Sequence, residues 1–263
     1  MSGLPRIFVA PERVEGEEVR FGEEEHRHIR TVLRLHDGDS LLATDGTGME
    51  YRLRLAGSGD GLRGVVEGRE EPVRESPLHV TLVQAVPKKE LMDLVVQKAV
   101  ELGVSGIRPV ISARTVVQLS RERGRKKHLR WERIAAAAVA QSGRTKTPLL
   151  GEVCSWQDFL REGLEADLKV MLCEGEERSL RETMERARAP STILLAVGPE
   201  GGWKTEEIAA AREEGFVTAG FGPRILRTET AGLAALSVLQ FRYGDLGDGK
   251  GQPRTSGKES QVV

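Results

Sequence analysis

Asparagine is missing altogether from the 263 residues. That absence is compatible with a thermophilic host, where thermolabile residues are depleted, and equally with a biased genome. Cysteine is almost missing. Cys154 and Cys173 are far apart and form no CxxC, which points away from a disulfide framework or a cysteine-built metal site and towards two reduced thiols in a cytoplasmic protein. No apolar run reaches membrane-spanning length, and the N-terminus lacks the long apolar core of a signal peptide, so no membrane partner is expected. Charge of one sign is also lacking. Lys+Arg 39 against Asp+Glu 40 leaves a net charge of -1, so any nucleic-acid signature has to be local. Internal repeats are absent as well. What is present is 39% hydrophobic and 30% charged residues, the composition of a soluble globular protein with enough chain for one large or two modest domains.

The most informative stretch is residues 191–241. Ser191-Thr-Ile-Leu-Leu-Ala-Val197 is apolar on both faces and predicts a strand buried in a parallel sheet. Gly198-Pro-Glu-Gly-Gly-Trp-Lys-Thr205 follows, with Thr205 placed to cap a helix, Glu206 and Glu207 suited to its first turn and Gly215 to its end. A strand is expected over residues 216–221, then Gly222-Pro-Arg-Ile-Leu-Arg-Thr-Glu-Thr230. Residues 231–241 form a helix with almost no polar face, to be buried in the domain or against a second subunit. Two glycine-bearing loops at the carboxyl ends of neighbouring strands mark a ligand site. The first nearly spells a P-loop, but Trp203 stands where the second glycine belongs and Glu200 brings a negative charge, so phosphate binding is the weaker reading.

Val197-Gly-Pro-Glu-Gly-Gly202 followed by Gly222-Pro-Arg-Ile-Leu-Arg-Thr-Glu-Thr-Ala231 resembles the SPOUT methyltransferases. Within them the similarity is greatest to the bacterial enzymes that methylate uridine N3 in small-subunit (16S) ribosomal RNA, over roughly residues 4–243. The resemblance implies an α/β fold: a parallel-sheet methyltransferase domain with a trefoil knot, preceded by a small PUA-like β-barrel that binds RNA. It also implies a homodimer, ribosomal RNA in the small subunit as partner, and S-adenosylmethionine as methyl donor. The donor would lie among Leu172, Cys173 and Glu174, then Val197, Gly198, Glu200 and Gly202, then Phe221, Gly222, Ile225 and Leu226. Uridine N3 carries a proton and reacts only once that proton leaves, which calls for a base or a cation beside the developing anion. Arg227 is the residue expected to stabilise that anion. Glu229 either orients Arg227, accepts the proton or caps the last helix, a task also open to Thr228 and Thr230. No metal is needed.

The remaining chain divides on its own signals. Residues 1–72 read as the β-rich unit, with strands at 7–9, 40–43, 50–55 and 62–66, glycine turns between them and one helix over 23–35. Arg6-Ile-Phe-Val9 and His28-Ile-Arg-Thr-Val-Leu-Arg34 fit the PUA pattern, which makes Arg6, Arg30 and Arg34 RNA-binding candidates; solvated surface charge is the alternative. The charged, proline-bearing stretch 68–77 is the boundary. The catalytic domain is expected over 73–244 and a disordered tail over 245–263. Strand 78–86 ends at Pro87, which opens a helix; helix 90–102 ends at Gly103 with Lys98 and Glu101 near its end, and strand 107–111 follows, a parallel α/β order. Residues 108–146 hold eleven Lys or Arg against Glu122 and Glu132. Arg125 and Lys126 lie at the centre of this excess, read either as a phosphate-binding patch or as a solvated helix face. Gln141, Ser142 and Arg144 can bond bases, ribose or phosphate, or can cap a helix; the family's acidic residue before this pair is Ala140 here. Two other functions stay open: a non-catalytic RNA-binding or ribosome-assembly protein, and a nucleotide hydrolase using residues 198–205.

Overall fold

Alternating side chains build the first unit. In the computed structural model, which describes residues 4–58, 61–117 and 120–247, Leu53 and Leu55 point inward while Arg52 and Arg54 point out, the period-2 pattern of a half-buried strand. Six strands take part: β1 (Arg6–Phe8), β2 (Val14–Glu15), β3 (Glu18–Arg20), β4 (Ser40–Thr44), β5 (Glu50–Ser58) and β6 (Gly61–Glu70). Their order is β1-β4-β5-β6-β3-β2. Only β1 on β4 is parallel, so the sheet is mixed. It closes over Ile7, Val9, Val19, Ile29, Leu41 and Leu62. The helix expected over 23–35 is shorter. α1 (Glu23–Arg27) widens into a π-helical turn at His28–Val32. The Leu33 and Leu35 amides then fold back onto the His28 and Ile29 carbonyls at 3.0 Å, and Arg34 takes a left-handed φ of 56°.

The second unit is a parallel sheet because its strands are apolar on both sides and helices cover both faces. β7 (His79–Ala85), β8 (Gly106–Ile111), β9 (Leu149–Leu150), β10 (Cys154–Ser155), β11 (Leu168–Leu172), β12 (Thr192–Val197) and β13 (Val217–Ala219) run in the order β10-β8-β7-β12-β11-β13, with β9 also on β8. Neighbours within a strand face opposite ways: Leu82 and Leu195 join one apolar layer, Val83 and Ala196 the other. The first layer is covered by α2 (Leu91–Glu101), α3 (Arg121–Ser142), α5 (Leu180–Arg186) and α7 (Thr228–Tyr243). The second is covered by α4 (Trp156–Arg161) and α6 (Thr205–Glu213), whose Trp156 ring lies 4.7 Å from Trp203 and 5.9 Å from Phe216. Among the described residues no helix is long and apolar enough to cross a membrane.

Three local expectations change. Pro87 does not open α2, which starts at Leu91 after the Glu90 N-cap. Thr205 is the first residue of α6 rather than its cap; the Lys204 amide donates to Glu207 Oε2 at 2.9 Å. α7 begins at Thr228 with Arg227 as N-cap and no side-chain cap, so Thr228, Glu229 and Thr230 are not capping that helix. Beyond residue 247 the expected tail lies outside the described residues.

The joint between the units is bonded at every step. Arg74 donates to both Glu50 oxygens, at 2.7 and 3.0 Å, and to the Gly143 carbonyl at 3.1 Å. Arg6 reaches the same Glu50 at 3.1 Å. Glu75 accepts from Arg144 at 2.6 Å and from the Thr145 and Lys146 amides at 3.1 Å. Thr147 donates to the Gly46 carbonyl at 3.0 Å. Burial by itself would raise both glutamates, but the arginines and amides outweigh it and hold each carboxyl below its ordinary value.

Candidate active site

Parallel pairing brings the carboxyl ends of β12, β11 and β13 side by side, and each runs into a loop. Such ends are where open α/β sheets bind ligands. The first loop, after β11, carries Cys173, Glu174 and Gly175. It is tied to the third: the Cys173 amide donates to Ala219 at 3.0 Å and the Gly220 amide to Arg178 at 2.8 Å. A Cβ on Gly220 would fall 2.7 Å from the Glu176 carbonyl oxygen, so glycine is required for this approach. The second loop, after β12, passes over Trp203. The ring is buried, its Nε1 donates to the Leu172 carbonyl at 3.2 Å, and a Cβ on Gly198 would come within 3.0 Å of it. The ring therefore packs beneath the loop and joins it to the first one.

Glu200 and Glu207 brace the same loop from outside. Glu200 accepts from the Lys88 amide at 2.8 Å, and buried Glu207 accepts from the Ala113 amide at 2.8 Å. Arg114 donates to the Gly201 carbonyl at 2.8 Å. The Glu200 carboxylate is thus already engaged with a neighbouring loop, which sequence reading did not show, and Arg114 had no local signal at all. The third loop holds Phe221, Gly222, Ile225 and Leu226. Gly222 has a left-handed φ of 82°, and a Cβ there, as at Gly175, would enter open space. Both glycines thus present main chain rather than side chain at the loop surface. Arg227 is exposed, and its guanidinium makes no hydrogen bond or ion pair among the described residues. Glu229 beside it is buried, with no side-chain hydrogen bond among them.

Burial first, and the Glu176 charge second, push the Cys173 thiol up to about 12. At pH 8 about one thiol in ten thousand would then be ionised. Iodoacetamide should leave Cys173 unmodified in the native protein and label it after denaturation, as read by mass mapping; rapid native labelling would contradict this environment.

The RNA candidates fall into two sets. Arg144 belongs to neither a phosphate site nor a cap: it is buried and makes four hydrogen bonds, two to Glu75 and two to the Val100 and Val104 carbonyls. Its guanidinium is spent on the joint, which corrects the expectation of a phosphate fork. Arg30 is held by Asp37 and the Leu35 carbonyl, and Arg6 by Glu50. Ser142 donates back to Ala138 at 2.7 Å. Lys126 pairs with Glu122 on the surface, and Lys98 with Glu101 at 2.8 Å. Arg130 is taken by Asp93 and Glu90, while buried Trp131 donates to Asp93 at 3.1 Å. Arg34, Arg125, Arg133 and Gln141 remain exposed without such a partner among the described residues.

Comparison with known proteins agrees with this layout. A family model described as RNA methyltransferase domain matches residues 74–240, and one described as RNA methyltransferase PUA domain matches residues 21–66. Ribosomal RNA small subunit methyltransferase E of Bacillus subtilis is 35% identical over 227 residues, covering 84% of this chain and 88% of that protein. The protein of the same name from Synechocystis is 32% identical over 236 residues, covering 89% and 76%. Among solved structures, the Neisseria gonorrhoeae ribosomal RNA small subunit methyltransferase E bound to S-adenosyl methionine is similar at a TM-score of 0.82 and 33% identity, covering 93% of this chain and 100% of that one. A putative methyltransferase from Legionella pneumophila in complex with the same cofactor gives 0.85 and 34%, with 93% and 100% covered.

Proposed function

The chain belongs to the ribosomal RNA small subunit methyltransferase E family, and on that premise we propose that it transfers a methyl group from S-adenosylmethionine to N3 of a uridine in small-subunit ribosomal RNA. The observation that carries the reading is the convergence of three main-chain-rich loops beside Arg227, which is exposed and without a partner among the described residues. Residues 172–174, 197–202 and 221–226 supply backbone groups rather than a cluster of cations, which suits a donor with a sulfonium and no phosphate. When bound, that donor supplies the activated methyl group.

The chain's own residues do the rest. Arg227 holds the negative charge that develops on uridine O2 or O4 as N3 loses its proton. Glu229, two residues further on and buried, is the residue placed to take that proton, since it makes no bond to Arg227 among the described residues. Fixed placement of the base beside the methyl supplies much of the rate. Cys173, kept protonated, does not compete as a nucleophile.

The first 72 residues serve as the RNA platform and residues 73–244 as the catalytic unit, in the cytoplasm. Phosphates would meet Arg34, Arg125 and Lys126, with Arg6 and Arg30 at the edge and Gln141 and Ser142 at the end of α3 that abuts the joint. A second copy of the chain would cover α7, whose outer side carries half-buried Leu233, Ala234 and Val238 and Phe241 at 65% exposure. The knotted chain path of the class belongs to the same proposal.

Titration calorimetry with S-adenosylmethionine tests the donor, and mass mapping of ribosomal RNA from a deletion strain tests the acceptor. Binding, together with loss of one uridine methylation, is expected. Salt-sensitive RNA binding without donor binding would instead indicate the non-catalytic assembly role. Sedimentation of the same preparation should give a dimer.

A further inference from the structure

Gln84 is a fully buried polar side chain at the carboxyl end of β7, on a strand otherwise apolar from Leu82 to Ala85. Its Nε2 donates to the Ala85 carbonyl at 3.0 Å and to Thr228 Oγ1 at 2.8 Å. The Thr228 hydroxyl in turn donates to the Gly198 carbonyl at 2.5 Å. Gln84 Oε1 is buried and has no partner among the described residues. The direction of this chain is set by chemistry. Turning the amide over would put Oε1 against the Ala85 carbonyl, acceptor facing acceptor, so the amide gives to the hydroxyl and the hydroxyl gives to the loop.

The two ends of this chain matter. Gly198 opens the loop after β12, and Thr228 is the residue after Arg227. The hydroxyl thus links the loop assigned above to the donor with the start of the helix that carries the anion-stabilising arginine. An orphaned buried acceptor lowers stability, and an apolar side chain of the same length would pack here without that cost. Residues kept at such a cost are expected at functional sites.

We propose that Gln84 is a positioning residue for methyl transfer: through Thr228 it sets the Gly198 carbonyl and Arg227 at a fixed separation. This rests on the methyltransferase reading given above. The role differs from simple packing in what it predicts, because packing is served as well by methionine as by glutamine.

The test compares wild type with Gln84→Met, Thr228→Val, Thr228→Ser and Gly232→Ala, by calorimetry with S-adenosylmethionine, single-turnover methylation of ribosomal RNA and melting temperature. Gly232→Ala keeps every hydrogen-bonding atom but brings a methyl within 2.9 Å of Gln84 Oε1, so it disturbs the link by a second route that leaves Gln84 itself in place. Gln84→Met, Thr228→Val and Gly232→Ala should slow single turnover by roughly ten- to a hundredfold, since a misplacement of about 1 Å can cost about a hundredfold. Donor affinity should change far less, Gln84→Met should melt no lower than wild type, and Thr228→Ser should keep most of the rate. Wild-type turnover in Gln84→Met, or a loss fully accounted for by a smaller folded fraction, would overturn the positioning role while leaving the methyltransferase reading intact. A wild-type protein that binds no donor and transfers no methyl would remove that reading, and the positioning role with it.

Discussion

Replacing Arg227 with alanine should leave a folded protein that still binds S-adenosylmethionine but transfers methyl groups about 10²–10³ times more slowly, the usual cost of losing one donor to a developing anion. The geometry separates the two effects. Arg227 is exposed and makes no hydrogen bond or ion pair among the described residues, so its removal breaks nothing that holds the fold. The three loops at the strand ends are instead fixed by Trp203, Glu200, Glu207 and the Ala219 and Arg178 carbonyls. Single-turnover rates at saturating donor measure the chemical step directly. Arg227→Lys should recover part of the rate, since it keeps the charge and loses the planar fork. A wild-type rate in Arg227→Ala would end the role assigned to it.

Removing Arg144 should do the opposite, damaging the fold far more than any chemistry. Cutting one partner from a buried ion pair typically costs about 3–5 kcal/mol, because the other charge is left desolvated. Arg144→Met would strand Glu75 with only the Thr145 and Lys146 amides and would leave the Val100 and Val104 carbonyls without their guanidinium. Urea unfolding should show the loss as a lower midpoint at unchanged slope; an unchanged midpoint would show that this pair does not hold the joint. The joint also has an acid limit. Glu75 and Glu50 are held below their ordinary value of 4.5. Their contribution is therefore full above that value, where the unfolded chain also carries the charge. It is lost as pH falls from there through the lower folded values. Melting temperature should drop across that acid range, and less so in Glu75→Gln.

The parts of this architecture that local pattern controls are legible in the sequence. Strand β12 announces itself as an almost unbroken apolar run and β7 as a mostly apolar one, and Gly103 and Gly215 mark helix ends, where they take positive φ of 81° and 82°. The hairpin of β2 and β3 escapes notice because its strands are two and three residues long, too short to show a period. Side-chain partners at long range escape for a different reason. Thr228 looks like a cap to any local rule, yet its partner Gln84 lies 144 residues earlier. Arg144 looks like an anion fork, yet Glu75 stands 69 residues away. Both residues offer the right chemistry for a local or ligand-facing task, and tertiary structure takes that chemistry first. The loops at the strand ends are legible because glycine and proline mark them; the braces behind them, Glu207 and Arg114, are not.

The ion pairs and main-chain bonds that seize Arg74, Glu75 and Thr147 leave the connector no slack. The two units are then clamped at one seam, where Thr47 pairs with Lys146 and Arg74 ties Glu50 to the Gly143 carbonyl. Inserting one residue between Arg74 and Glu75 would pull one of them out of register with Glu50 or Arg144, so the connector's length and the bonds of the seam specify each other.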